Sequence, residues 1–162
     1  MKTLYLECNM GASGDMLMGA LYELLSDSAK DTFIKNMNSL FPNQLMLSAA
    51  PCEKCGIWGT KMNVVILGQE ETTEHVHNHL HTSYQEMLEQ IGDLPVSASV
   101  KEHARAVYTL IGNAESSAHH TDISQIHFHE VGTLDAIMDV VGCCLLIELL
   151  NPEQIIASPI HV

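Results

Sequence analysis

The chain has 162 residues, enough for one domain with a substantial core. Its 7 basic and 20 acidic side chains give a formal charge of −13. That balance argues against nucleic acid and against an anionic membrane surface, both of which select Lys and Arg, and it suits the attraction of cations. Hydrophobic residues make up 46% and aromatics 5%, which predicts an aliphatic, Met-rich core.

In chain order, Thr3 to Cys8 alternates, with Leu4, Leu6 and Cys8 on one face and Thr3, Tyr5 and Glu7 on the other, the pattern of a strand. The Gly-rich turn "NMGASG" follows. Met16, Leu17, Ala20, Leu21, Leu24 and Leu25 then recur at helical spacing, with Ser13 as N-cap and Asp15 in the first turn. A second helix is expected over about Asp31 to Leu40, stopped by Pro42. "LMLSAAPCEKCGIWGTKMNVVIL" reads as two strands around a turn at "EKCG". Residues 69–82 are polar, acidic and His-rich without periodicity, the signature of a loop.

Ser83 and Glu86 stand at capping-box spacing before an apolar helix, and Ser99 and Glu102 repeat that spacing. The second box precedes a stripe of Val100, Ala104, Val107, Ile111 and Ala114. "QIHFHEVG" reads as an extended segment and turn, Thr133 to Leu150 as an apolar helix stopped by Pro152, and "QIIASPIHV" as a strand running to the last residue. The order β-α-α-β-β-α-α-α-β predicts an α/β or α+β fold, a small mixed sheet covered by helices, over a single domain 1–162.

Compartment follows from the cysteines and the apolar runs. Cys8, Cys52, Cys55, Cys143 and Cys144 are odd in number and include an adjacent pair, so they form no disulfide framework. The start "MKTLYLEC" is too short for a signal peptide, and "VVGCCLLIELL" is far below the roughly 20 residues that span a bilayer. The expectation is a soluble cytoplasmic protein.

Four constellations carry chemistry. In "HVHNHLH", His75, His77, His79 and His81 occupy every second position. On a strand they would be about 6.6 Å apart along one face; in a flexible loop they can wrap one ion or load several weakly. Neutral imidazole suits nickel, zinc, copper and iron, and the spacing selects none of them. In "HFHEVGTLDAIMD", His127, His129 and Glu130 precede a Gly turn. Asp135 and Asp139 then share a face at the start of an otherwise apolar helix. Carboxylates there are costly unless paired, hydrogen-bonded or bound to a cation, so this is a candidate metal or acid–base site beside the plainer reading of a capped helix start. "GASGD" can cradle an anion at a helix N-terminus, although Asp15 tempers that and the pattern matches no phosphate fingerprint. Cys52-x-x-Cys55 lacks a second such pair and is weak on its own.

Taken in order, "LYLECNMGASGDMLMGAL", "CGIWGTKMNVVI", the interleaved His loop, "IHFHEVGTLDAIMDVVG" and "IIASPIHV" resemble the N-terminal region of the LarC family over essentially the whole chain. Glu7 stands where that family usually carries Asp. The resemblance implies a CTP-dependent enzyme that inserts Ni²⁺ into pyridinium-3,5-bisthiocarboxylic acid mononucleotide, forming carbon–nickel and sulfur–nickel bonds of the nickel-pincer cofactor. It also implies a separate C-terminal nucleotide-binding part as partner, absent here, in keeping with the abrupt end at Val162, and leaves homo-oligomerisation open. On this reading the loop histidines gather Ni²⁺. Asp15, His127, His129, Glu130, Asp135 and Asp139 serve the chemistry, Glu7, Ser13 and Gly14 contact the substrate, and Mg²⁺ or Mn²⁺ accompanies CTP. The alternatives are a non-enzymatic nickel store or chaperone, in which only the His loop matters, and a metal-dependent phosphohydrolase.

Overall fold

The computed structural model describes residues 1–9, 11–66, 82–128 and 130–160. The loop histidines His75, His77, His79 and His81, and also His129, lie outside the described residues. The element order is β1 (Thr3–Leu6), α1 (Gly14–Glu23), α2 (Asp27–Asn38), β2 (Leu45–Lys54), β3 (Ile57–Ile66), β4 (Thr82–Ser83), α3 (Tyr84–Asp93), α4 (Ala98–His119), β5 (His127–Phe128), α5 (Leu134–Leu150) and β6 (Gln154–Ala157). A 3-10 turn, Glu130–Gly132, links β5 to α5.

The α/β character is as expected, but the strands form three two-stranded sheets among the described residues rather than one mixed sheet. β1 and β6 pair in parallel, with Leu4 opposite Ile155 and Tyr5 opposite Ile156. β2 and β3 form a long antiparallel hairpin closed by Cys55 and Gly56. Both turn residues have positive φ, 53° and 79°, as a two-residue hairpin turn requires. β4 and β5 pair over two residues, Thr82 with Phe128 and Ser83 with His127.

Helix α5 is the centre of the core. Ile137, Met138, Val141 and Leu146 are fully buried, together with Met18 of α1, Phe33 and Met37 of α2, and Met87 and Ile91 of α3. α1 packs on α5 and across β3. The second approach is close: a Cβ on Gly19 would lie 2.5 Å from the Thr60 carbonyl oxygen. An alanine there would force the helix off the hairpin.

Three boundaries and one buried stripe differ from the sequence expectation. α2 begins at Asp27, four residues early, because Ser26 has the extended N-cap backbone and Asp27 suits the helix dipole. α4 is capped by Ser97, whose hydroxyl accepts the Val100 N–H, so Ser99 lies inside the first turn rather than at its cap. The fully buried stripe of α4 is Val100, Ala104, Tyr108 and Gly112 at strict i, i+4 spacing, and Val107 and Ile111 flank it half-buried. β6 ends at Ala157, where Ser158 turns its N–H to the Leu6 carbonyl. The Ser83–Glu86 capping box is reciprocal: Glu86 N–H donates to Ser83 Oγ at 3.2 Å, and Ser83 N–H donates to Glu86 Oε2 at 2.8 Å.

Candidate functional site

The glycine turn after β1 brings the start of α1 against the start of α5. Gly11 takes φ +85°, and Ser13 supplies the extended N-cap backbone. The Ser13 hydroxyl makes no cap bond; it donates instead to Asp15 Oδ1 at 2.5 Å, an oxygen that also accepts the Met16 N–H at 2.9 Å. Gly14 faces Asp139 so closely that a Cβ would fall 2.5 Å from Asp139 Oδ2. The glycine is therefore needed for space. One turn further along α5, Cys143 Sγ donates to the Gly14 carbonyl at 3.6 Å. Thr133 caps α5, its hydroxyl accepting the Ala136 N–H at 3.3 Å, and Asp135 sits in the first turn, where the dipole favours it.

Three carboxylates thus share one corner: Asp15 and Asp135, both exposed, and Asp139, half-buried. Burial pushes Asp139 up to about 6, and the charges of Asp135 and Asp15 push the same way, against a backbone hydrogen bond at Asp15 that favours the charged form. Cys143 is raised to about 12 by burial and by Asp139, so it stays a thiol at neutral pH in the metal-free chain. The carboxylates at this corner are hard oxygen donors. Among the described residues no three His, Cys, Asp or Glu side chains are arranged to enclose an ion, so the corner is open. The anion-cradle reading of "GASGD" meets a competitor, since hydrogen bonds in the first turn of α1 already go to Asp15 and Asp139.

The other candidate residues fall elsewhere. His127 is exposed and lines a groove of about 470 Å³ with Glu115, His119, Thr121 and Gln125. It faces α3: the Glu86 carboxyl is held low by the hydrogen bonds from Ser83 and, to a lesser degree, by the charge of His127. Its neighbour Phe128 points inward and is buried against Tyr108, ring centroids 5.8 Å apart. The side chain of Glu130 lies outside the description. Glu7 is exposed at the end of β1 and accepts a hydrogen bond from the Tyr5 hydroxyl at 3.4 Å.

Two residues at the site were not singled out from sequence. Cys143 continues the Asp135, Asp139 series by one more i+4 step, a periodicity that points to it. Tyr108 is fully buried, and its hydroxyl donates to the Val131 carbonyl at 3.0 Å, pinning the turn that carries Glu130. Burial, and secondarily the charge of Asp139, raise its phenol well above the usual range, so it remains a neutral donor.

Known proteins resemble this chain along its length. The family model described as nickel insertion protein matches residues 4–162. A pyridinium-3,5-bisthiocarboxylic acid mononucleotide nickel insertion protein of Desulfitobacterium hafniense is 40% identical over 162 residues, covering 100% of this chain and 38% of the relative. Proteins of the same description in Lactiplantibacillus plantarum and Acetivibrio thermocellus are 34% and 31% identical, each covering 99% of this chain and 40% and 39% of their own length. The chain thus spans about two fifths of these relatives. No solved structure matches it. No helix among the described residues is long and apolar enough to cross a membrane. The match over residues 4–162 places the chain in the nickel insertion protein family.

Proposed function

We propose that this chain is the metal-gathering and substrate-presenting part of a CTP-dependent enzyme that inserts Ni²⁺ into pyridinium-3,5-bisthiocarboxylic acid mononucleotide. The observation that carries the reading is that Asp15 and Asp135 both act on Asp139, which lies against Gly14 where two helix starts meet. Their mutual repulsion costs stability, and a divalent cation turns that repulsion into attraction. The relatives' description supplies the cargo and the nucleotide substrate.

The carboxylates are the hard donors that suit Mg²⁺ or Mn²⁺ accompanying CTP. Such ions commonly take one or two carboxylates and complete their shell with phosphate oxygens. An open corner fits that division better than a closed protein cage does. The loop histidines His75, His77, His79 and His81 serve as the collector of Ni²⁺, for which imidazole is the better ligand. Glu7, Ser13 and Gly14 border the same end of β1 and α1 and contact the nucleotide. His127 stands apart from this corner, in the groove beside the end of α4.

The test is the double variant Asp135→Asn, Asp139→Asn in the complete enzyme. It should abolish metallation of the mononucleotide while the circular dichroism spectrum is kept; unchanged turnover would sink the assignment. Deleting residues 75–81 separates this reading from a nickel store. An enzyme supplied with excess nickel keeps most of its turnover, whereas a store loses its function.

A further inference from the structure

Among the described residues, one edge of the parallel pair meets no further strand. Leu6 and Lys2 direct their carbonyls to the β6 side, accepting from Ser158 and from Glu153 and Gln154, and the Cys8 N–H goes to Ser158 Oγ. Strand alternation then turns the backbone N–H and C=O groups of Thr3, Tyr5 and Glu7 to the opposite edge. Among the described residues no strand pairs there.

Beside that edge runs a groove of about 360 Å³ between β1 and α1. Leu4, Tyr5, Leu6 and Glu7 all touch it. Consecutive residues of a strand point to opposite faces, so a groove that meets all four runs along the edge. Its far wall is the outer side of α1, including Met16, Ala20 and Leu24, with Met16 52% and Leu24 60% exposed. A strand edge that no described strand pairs, facing an apolar helix wall, is the geometry that accepts one more strand. β6 agrees: Ile155 and Ile156, on opposite faces, are both more than two-fifths exposed. Parallel sheets normally have both faces covered.

We infer that the β1 edge and the α1 wall receive a β-strand from the polypeptide that the relatives carry outside the matched segment, extending the sheet next to the carboxylate corner. Two facts select this occupant. The relatives place about three fifths of their length outside the part that this chain matches. A formal charge of −13 opposes the association of two copies of this chain. The strand it calls for alternates, with apolar side chains toward Met16, Ala20 and Leu24. The groove also touches Gly11 and Ala12, the turn that leads to Ser13 and Asp15, so the added strand would lay a wall of the site beside the carboxylates.

The inference rests on the proposed two-part enzyme, and its test does not use nickel turnover. Amide hydrogen exchange is measured on the isolated chain and on the complete enzyme, with a photo-crosslinking residue at position 24. The expected result is exchange at Tyr5 and Glu7 slowed at least 100-fold in the complete enzyme, and a crosslink from position 24 to a peptide outside residues 1–162. Ala20→Arg, at an exposed helix position, should keep the helical spectrum of the isolated chain and cut the crosslink at least tenfold. Equal exchange in both forms, or a crosslink to a second copy of residues 1–162, overturns the inference. If metallation proceeds while these amides exchange freely, only this inference fails. If the crosslink forms and the Asp135, Asp139 double variant still turns over, only the functional reading fails.

Discussion

The α3–α4 side of the molecule and the corner where β1, α1 and α5 meet are built to different standards. On the first side each local rule is kept. Ser83 and Glu86 cap α3 reciprocally, Ser97 caps α4, and Phe128 packs edge to face with Tyr84 and at a tilt on Tyr108 of the buried stripe. At the corner the rules are broken together. Ser13 occupies the N-cap without capping, the charges of Asp15 and Asp135 act on Asp139, and among the described residues no strand pairs the outer edge of β1 beside apolar helix surface. Local conflict of this kind concentrates where a protein binds something. The α3–α4 side holds the fold, and the corner is where we propose the chemistry.

Several substitutions break or sharpen that contrast. The largest effect belongs to the structural side. Ile91→Ala, at a fully buried position, should cost about 3 kcal/mol in a denaturant titration, with no specific effect on metal or substrate binding. Gly14→Ala comes next: the new Cβ drives into the Asp139 carboxylate, so stability should fall by about 1–2 kcal/mol despite the better helix propensity of alanine, and metallation should be lost.

Ser83→Ala should cost about 1 kcal/mol. Ser13→Ala, the matching substitution at the corner, should change thermal stability by less than about 0.5 kcal/mol, because its hydroxyl caps nothing. Equal losses at the two serines would erase the distinction between the regions.

Asp139→Asn should act in the opposite direction. The carboxyl is raised from its ordinary 3.8 to about 6, so the folded chain holds this proton more tightly than the unfolded chain does. The associated stability is fully present below pH 4 and is lost as pH rises toward 6. The variant removes that loss. It should be more stable than the parent by about 1 kcal/mol at pH 7.5, a figure reduced for the solvent that reaches a half-buried group, and gain nothing at pH 4. Thermal melts at the two pH values check the sign.

Much of this arrangement was legible in the sequence because it is written in short-range patterns. Alternation located β1, the Ser83–Glu86 spacing fixed the start of α3, and "EKCG" marked the hairpin turn. The Asp135, Asp139 spacing put two carboxylates on one helix face. What escaped depends on contacts between distant segments. Nothing local in "GASGD" says that Gly14 lies against Asp139, more than a hundred residues away. Ser97 and Ser99 are both plausible caps, and packing of Val100 and Ala104 decides between them. Tyr108 was hidden because Val107 and Ile111 complete an equally good apolar stripe one step round the helix. His127 and Asp139 share a motif, yet the inward turn of Phe128 sends His127 to the groove beside the end of α4.

The most direct test of the carboxylate corner is a carbon-13 NMR titration of the Asp139 carboxyl, with and without a divalent cation such as Mg²⁺. The account predicts a midpoint near 6 in the free chain that moves down when the cation is added. A midpoint in the ordinary aspartate range, indifferent to the cation, would contradict it.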